Sequence, residues 1–133
     1  MVQVDILSDT RYPVNRKVVR KAIIETLVKN KILQGEVEVS VAVVGRRKMR
    51  NLTTLYLKDN KNHEVLAFPL EEVTQETKKG FINAPDETLR LGDIILCWPE
   101  VLLSASRNDV MVDDEVFFLT AHATEHLIGR HHE

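Results

Sequence analysis

The sequence predicts an α+β (mixed α/β) protein with a single small sheet of about four strands packed with helices. Three observations predict it. Valine-rich segments alternate apolar and polar residues at the period of a strand, Glu36 to Val44 most clearly. Other segments carry apolar residues at helical spacing. The two kinds of segment interleave only partly, so the pattern is not a regular βα repeat, and one sheet covered by helices is the layer arrangement that buries both.

Val2 to Leu7 alternates and reads as the first strand, with Ser8, Asp9 and Pro13 as turn signals after it. From Asn15 the residues Val18, Val19, Ala22, Ile23 and Leu27 form an apolar helical stripe, with Arg16, Lys17, Arg20 and Lys21 on the polar side. That helix ends before Gly35. Strand Glu36 to Val44 is broken by Gly45, and a shorter stripe follows through Met49, Leu52, Leu55 and Tyr56. Lys58 to Asn62 is a polar turn, and Val65 to Phe68 a short strand stopped by Pro69. Thr74 to Thr88 reads as a loop or hairpin arm, and Leu89 to Trp98 as a strand around Gly92 and Asp93. A short helix is expected over Pro99 to Ser106. A last helix is expected through Ile128, capped by Asp113 or Asp114 and ended by Gly129.

The chain has 133 residues, the size of one domain, and we expect 1–133 to be one. Its formal charge of -2 gives no global pull toward a polyanion, so any nucleic-acid contact must come from a local patch. Cys97 is the lone cysteine, so no internal disulfide forms and a reducing compartment is expected. Neither a signal peptide nor a membrane span is visible, which leads us to expect a cytoplasmic protein.

The chemistry concentrates at the end of the chain. Of the 5 histidines, four lie between His122 and His132. His122 and His126 are one helical turn apart, about 40° around the axis, so both imidazoles reach one ion. Gly129 lets the chain turn out of the helix and bring His132 back to the same ion. A shift of one residue would bring His131 instead. A three-histidine set suits zinc and leaves a fourth position for water, the plan of a hydrolytic site in a cleft formed by the C-terminal helix. The spacing is also that of the metzincin proteases, except that their glutamate is Ala123 here. Glu125 instead gives the inverted order His-x-x-Glu-His. It lies about 80° from the bisector of the histidine stripe, as a candidate catalytic proton carrier or as a surface carboxylate.

Three blocks together resemble the YbeY family of rRNA maturation endoribonucleases. Its pattern His-Gly-x-Leu-His-Leu-x-Gly-x-Asp-His agrees at His122, His126, Leu127, Gly129 and His132. Leu91-Gly92-Asp93-Ile94-Ile95 resembles its Leu-Gly-Asp-Ile strand, and His63-Glu64-Val65-Leu66-Ala67-Phe68-Pro69 its Thr-Asp-Val-Leu-Ser-Phe-Pro block. The resemblance implies a small α/β sandwich with one zinc ion held by His122, His126 and His132. It also implies single-strand-specific cleavage of RNA in maturation of small-subunit rRNA and in ribosome quality control. The departures are Ala123 for glycine, Glu125 for leucine, His131 for aspartate and Ala67 for serine. The family's Tyr-Arg pair reads Tyr56-Leu57, which removes a functional arginine, and Lys58 is the candidate to replace its charge. A lysine does not reproduce the two-pronged grip of arginine on phosphate.

Arg46, Arg47, Lys48 and Arg50 form the densest basic cluster, suited equally to RNA phosphates and to a solvated helix face. From these residues we expect Arg46, Arg47 and Lys58 to bind RNA. Tyr56, Phe68 and Trp98 are candidates to stack on unpaired bases, or to be core. Cys97 reads as a buried strand residue and His63 as a turn residue. The leading function is therefore a metal-dependent endoribonuclease acting on single-stranded ribosomal RNA, with small-subunit ribosomal proteins as possible partners and no membrane. A non-catalytic, metal-containing module that binds ribosomes or RNA is the alternative, favoured by Leu57 and Ala67. A small metallopeptidase is a third reading, opposed by Ala123.

Overall fold

The computed structural model describes residues 1–32, 35–59, 61–70 and 88–129. Among these the order is β1 (Val2–Ser8), α1 (Arg16–Lys29), β2 (Glu36–Val44), α2 (Arg46–Tyr56), β3 (Val65–Pro69), β4 (Thr88–Cys97), α3 (Trp98–Asn108) and α4 (Val112–Leu127). The strands form one mixed sheet in the order β1-β2-β4-β3, in agreement with the expected α+β class. Strands β1, β2 and β4 are parallel neighbours, and β3 runs antiparallel on the edge of β4.

The period-2 pattern of β2 explains its central place. Val37, Val39, Val41 and Val43 all point into the main core. There they meet Val19, Ile23 and Leu27 of α1, Val101 of α3, and Val116, Leu119 and Leu127 of α4. Each such side chain, fully buried, contributes roughly 1.5–3 kcal/mol. Among the described residues the opposite face is covered by α2, whose Met49 packs with Val44, Leu66 and Cys97 in a second, smaller core. Helices α1 and α2, which follow successive parallel strands, thus lie on opposite faces of the sheet.

Helix α1 starts where Asn15 predicts, because the Asn15 side chain accepts from the Lys17 and Val18 backbone N–H groups. The same side chain donates to Asp113 at 3.0 Å, joining the N-terminal ends of α1 and α4. At the other end of α1, Asn30 donates to Glu125 at 3.1 Å. Helices α1 and α4 therefore run side by side in the same direction.

The starts of α3 and α4 differ from the sequence reading. Trp98 opens α3 rather than closing β4, since Pro99 in the first turn needs no N–H partner and has the φ a helix requires. Asp113 and Asp114 are not caps. The N-cap is Met111, with no side-chain bond, and the acids occupy the first turn, where carboxylates meet the positive end of the helix. Asp113 is engaged by Asn15, and the neighbouring buried Glu115 accepts from Ser104 and Asn108 of α3. The expected loop from Thr74 lies outside the described residues, apart from Thr88, which opens β4. Among the described residues no helix is long and apolar enough to cross a membrane.

Candidate metal centre

Helix α4 turns Ala123, Thr124 and Leu127 inward and leaves His122 exposed and His126 half-buried on its outer side. The two Nε2 atoms stand 3.0 Å apart, with ring centroids at 4.5 Å and planes at 66°. Two nitrogens bound to one tetrahedral zinc, each at about 2.0–2.1 Å, lie about 3.3 Å from each other. The pair therefore fits a shared ion with a shift of a few tenths of an ångström. Phe118, one turn earlier, lies nearly parallel to His122 at 6.2 Å and 9°.

The third expected ligand, His132, lies outside the described residues, as does its alternative His131. Among the described residues no group of three His, Cys, Asp or Glu side chains could hold an ion, so the pair needs a ligand from elsewhere. Gly129 has φ +78, and a Cβ there would meet nothing within 4 Å. The glycine is thus required by its left-handed backbone and not by crowding.

Leu127 fixes the height of this end of α4. A Cβ on Gly92, whose φ is +147, would come within 2.2 Å of the Phe68 carbonyl oxygen and 2.9 Å of Leu127 Cδ2. Gly92 sits where the register between β2 and β4 slips by one residue, so the glycine admits both the bulge and the close approach of α4.

Glu125 lies beside the histidine pair, half-buried, with Oε1 accepting from Asn30. Lys29, Phe118, His122 and Glu125 share a groove of about 440 Å³ between α1 and α4. Sequence reasoning passed over Phe118 and Asn30. The spacing of Phe118, His122 and His126 was readable, whereas Asn30 is 95 residues from its partner and left no local signal.

The basic candidates lie elsewhere. Arg46 and Arg47 open α2 at the edge where the parallel strands finish, whereas His122 and His126 belong to the half of α4 that ends beside Asn30. Arg46 Nε is 2.6 Å from Oε2 of Glu100, a carboxylate only 6% exposed, so its charge already serves a buried partner. Arg47 is exposed. Lys58, also exposed, follows the α2 C-cap Leu57 with φ 57, a left-handed position where lysine carries backbone strain. Trp98 is core, while the exposed Tyr56 packs on Phe68 at 5.4 Å. His63 pairs with Asp59 at 3.3 Å. The Asp59 carboxyl is held below its ordinary value, first by the Lys61 backbone N–H and then by His63. Cys97 is buried as expected, and burial pushes its thiol up.

The family model described as endoribonuclease YbeY matches residues 7–133. The chain belongs to the YbeY family. Among its relatives, each named endoribonuclease YbeY, the protein of Renibacterium salmoninarum is 30% identical over 101 residues, 76% of this chain and 62% of that protein. The match to the Roseiflexus castenholzii protein is 26% over 133 residues, 100% of this chain and 80% of the relative. For a Thermoanaerobacter relative it is 28% over 134 residues, 99% and 84%. The matched segment thus spans less than two thirds of the first relative and about four fifths of the other two. A Thermotoga maritima protein of known solution structure superposes with a TM-score of 0.57 at 21% identity, covering 97% of this chain and 73% of its own, and shares the fold. Membership in the YbeY family agrees with the three-block resemblance, whose His122 and His126 lie on the outer side of α4.

Proposed function

We propose that this chain is a zinc-dependent endoribonuclease of the cytoplasm that cuts single-stranded RNA within one domain spanning 1–133, acting in maturation of small-subunit ribosomal RNA and in ribosome quality control. The observation that carries this reading is the convergence of the His122 and His126 Nε2 atoms at 3.0 Å on the outer face of α4. Membership in the YbeY family supports the reaction class. His122, His126 and His132 would hold the ion, with the turn at Gly129 returning the chain. When bound, zinc supplies positive charge at a phosphate oxygen and a water acidified toward neutral pH. Glu125, fixed by Asn30 beside the pair, would move a proton through its carboxylate. Arg46, Arg47 and Lys58 would hold the RNA strand, and small-subunit ribosomal proteins would be partners.

Incubating the zinc-loaded protein with single-stranded RNA and with casein tests this reading, with His126→Ala as control. RNA cleavage that disappears in the variant is the expected result. Casein cleavage would point to a peptidase instead. For Glu125→Leu, turnover should fall about 100-fold if the carboxylate moves a proton. Loss of the Asn30 bond alone costs about 1 kcal/mol of stability and leaves turnover in place.

A second reading rests on a specific residue. Leu57 stands where the family resemblance calls for arginine, at the C-cap of α2 and 46% exposed. A chain that binds RNA without cutting it would be a metal-containing RNA or ribosome module, and binding by both proteins without cleavage would favour it.

A further inference from the structure

We propose that the crevice outside the ends of β1 and β2 is a second RNA site, one that grips backbone phosphates at a distance from the histidine pair. The inference rests on the RNA reading above and assigns to it a separate anchor. The turn after β1 leads to α1 on one face of the sheet, and the turn after β2 leads to α2 on the other. Between two such turns an open sheet forms a crevice beyond the carboxyl ends of its strands, where ligands of this class of fold bind. Here the crevice measures about 1020 Å³.

Apolar residues such as Leu7, Val43 and Leu52 make up much of its lining, and a group of cations gathers beside them. Arg11, Arg46, Arg47 and Lys48 line it with Asp9 as the one acid among the described lining residues, and Tyr12 and Asn51 add polar side chains. Arg11 is tied to Asp9 at 3.1 Å and Arg46 to Glu100, so among the described residues Arg47 and Lys48 are the lining cations left to meet a ligand. Gly45 keeps the floor low, because a Cβ there would come within 2.6 Å of the Tyr12 hydroxyl.

The crevice is remote from the candidate metal centre. Asn15, three residues beyond the crevice-lining Tyr12, joins the N-terminal ends of α1 and α4 through Asp113. His122 and His126 lie nine and thirteen residues farther along α4, roughly 14–20 Å at the rise of a helix. A strand reaching both must span several nucleotides, so affinity should grow with RNA length.

The test measures binding of a trinucleotide and of a single strand of about twenty nucleotides across a salt series, for the wild type and for Arg47→Gln with Lys48→Gln. The longer strand should bind wild type more tightly. The double variant should lose about tenfold of that gain and show a salt slope shallower by about 1.4, the share of two phosphates on a single strand. The single variant Arg47→Gln should shift the slope by about 0.7, and it serves if the double variant melts early. Equal affinity and slope in variant and wild type would overturn the site. So would full displacement of the long strand by adenosine monophosphate together with equal binding of both RNA lengths, which would make the crevice a mononucleotide pocket. Zinc content and cleavage are read separately. A length-dependent site in a protein that does not cut leaves this inference standing while the catalytic reading falls.

Discussion

The two ends of this molecule carry different kinds of information. At the histidine end, His122 and His126 match their family pattern, while Leu57, Ala67 and Glu125 depart from it. At the crevice end, no family motif is involved, yet the topology opens a basic cavity between two turns that leave opposite faces of the sheet. The difference teaches that a short motif is written in one helix, where residues four apart are neighbours. A crevice between two turns is assembled from segments that share no local pattern.

The largest expected effect breaks the histidine end. His126→Ala should lower bound zinc from about one ion per chain to almost none, and RNA cleavage by on the order of 100-fold or more. Metal analysis of untagged protein, alongside a cleavage assay, checks both. Full zinc occupancy in the variant would remove His126 from the ligand set.

Gly92→Ala comes next and tests how the sheet sets the height of α4. The strained φ and the approach to the Phe68 carbonyl and Leu127 should cost about 2–3 kcal/mol in chemical denaturation. An unchanged midpoint would mean that α4 is not held there by close contact. At the crevice end the matching experiment is Arg46→Gln. It leaves the buried Glu100 without its guanidinium, and because Arg46 is itself half-exposed the cost should be about 1–2 kcal/mol. Arg47→Gln should leave the denaturation midpoint in place, and equal losses from both would erase the distinction drawn between these neighbours.

Leu57→Arg sharpens the histidine end from the opposite direction. If the missing guanidinium limits catalysis, restoring it should raise cleavage about tenfold, the worth of one charge-assisted hydrogen bond to phosphate. No gain would mean that α2 does not bring residue 57 to the scissile strand. The smallest effect belongs to Cys97. Burial holds the folded thiol above its ordinary 9.0, so the unfolded chain loses that proton first. The stability contributed by the neutral thiol is full below that value and is lost as pH rises toward the folded one. Between about pH 8 and about pH 10 the melting temperature should fall slightly more in wild type than in Cys97→Ala.

Much of the fold was legible because its signals are local. The alternation of β2 and the helical stripe that begins at Asn15 place these elements at the positions read from the residues alone. The start of α3 at Trp98 was misread, since an apolar run ending in Trp98-Pro99 looks the same whether tryptophan ends a strand or opens a helix. Asp113 does not cap α4 as expected, and its partner Asn15 comes from the start of α1, 98 residues away. The histidine pair was legible from spacing alone. The tie from Arg46 to Glu100, which gives one expected RNA contact a buried partner, was not, as 54 residues separate the two.

The sequence by itself determined the class of the fold, the helix that presents His122 and His126, and the glycine that lets the chain turn beyond them. Each follows from the period of a helix or strand, or from the backbone freedom of one residue. Only the tertiary structure decided that Asn30 fixes Glu125, that Gly92 admits Leu127, and that the basic cluster opens onto a crevice far from the histidines. These depend on which faces of the sheet α1, α2 and α4 cover, and that choice is made by the burial of the whole core rather than by any one segment.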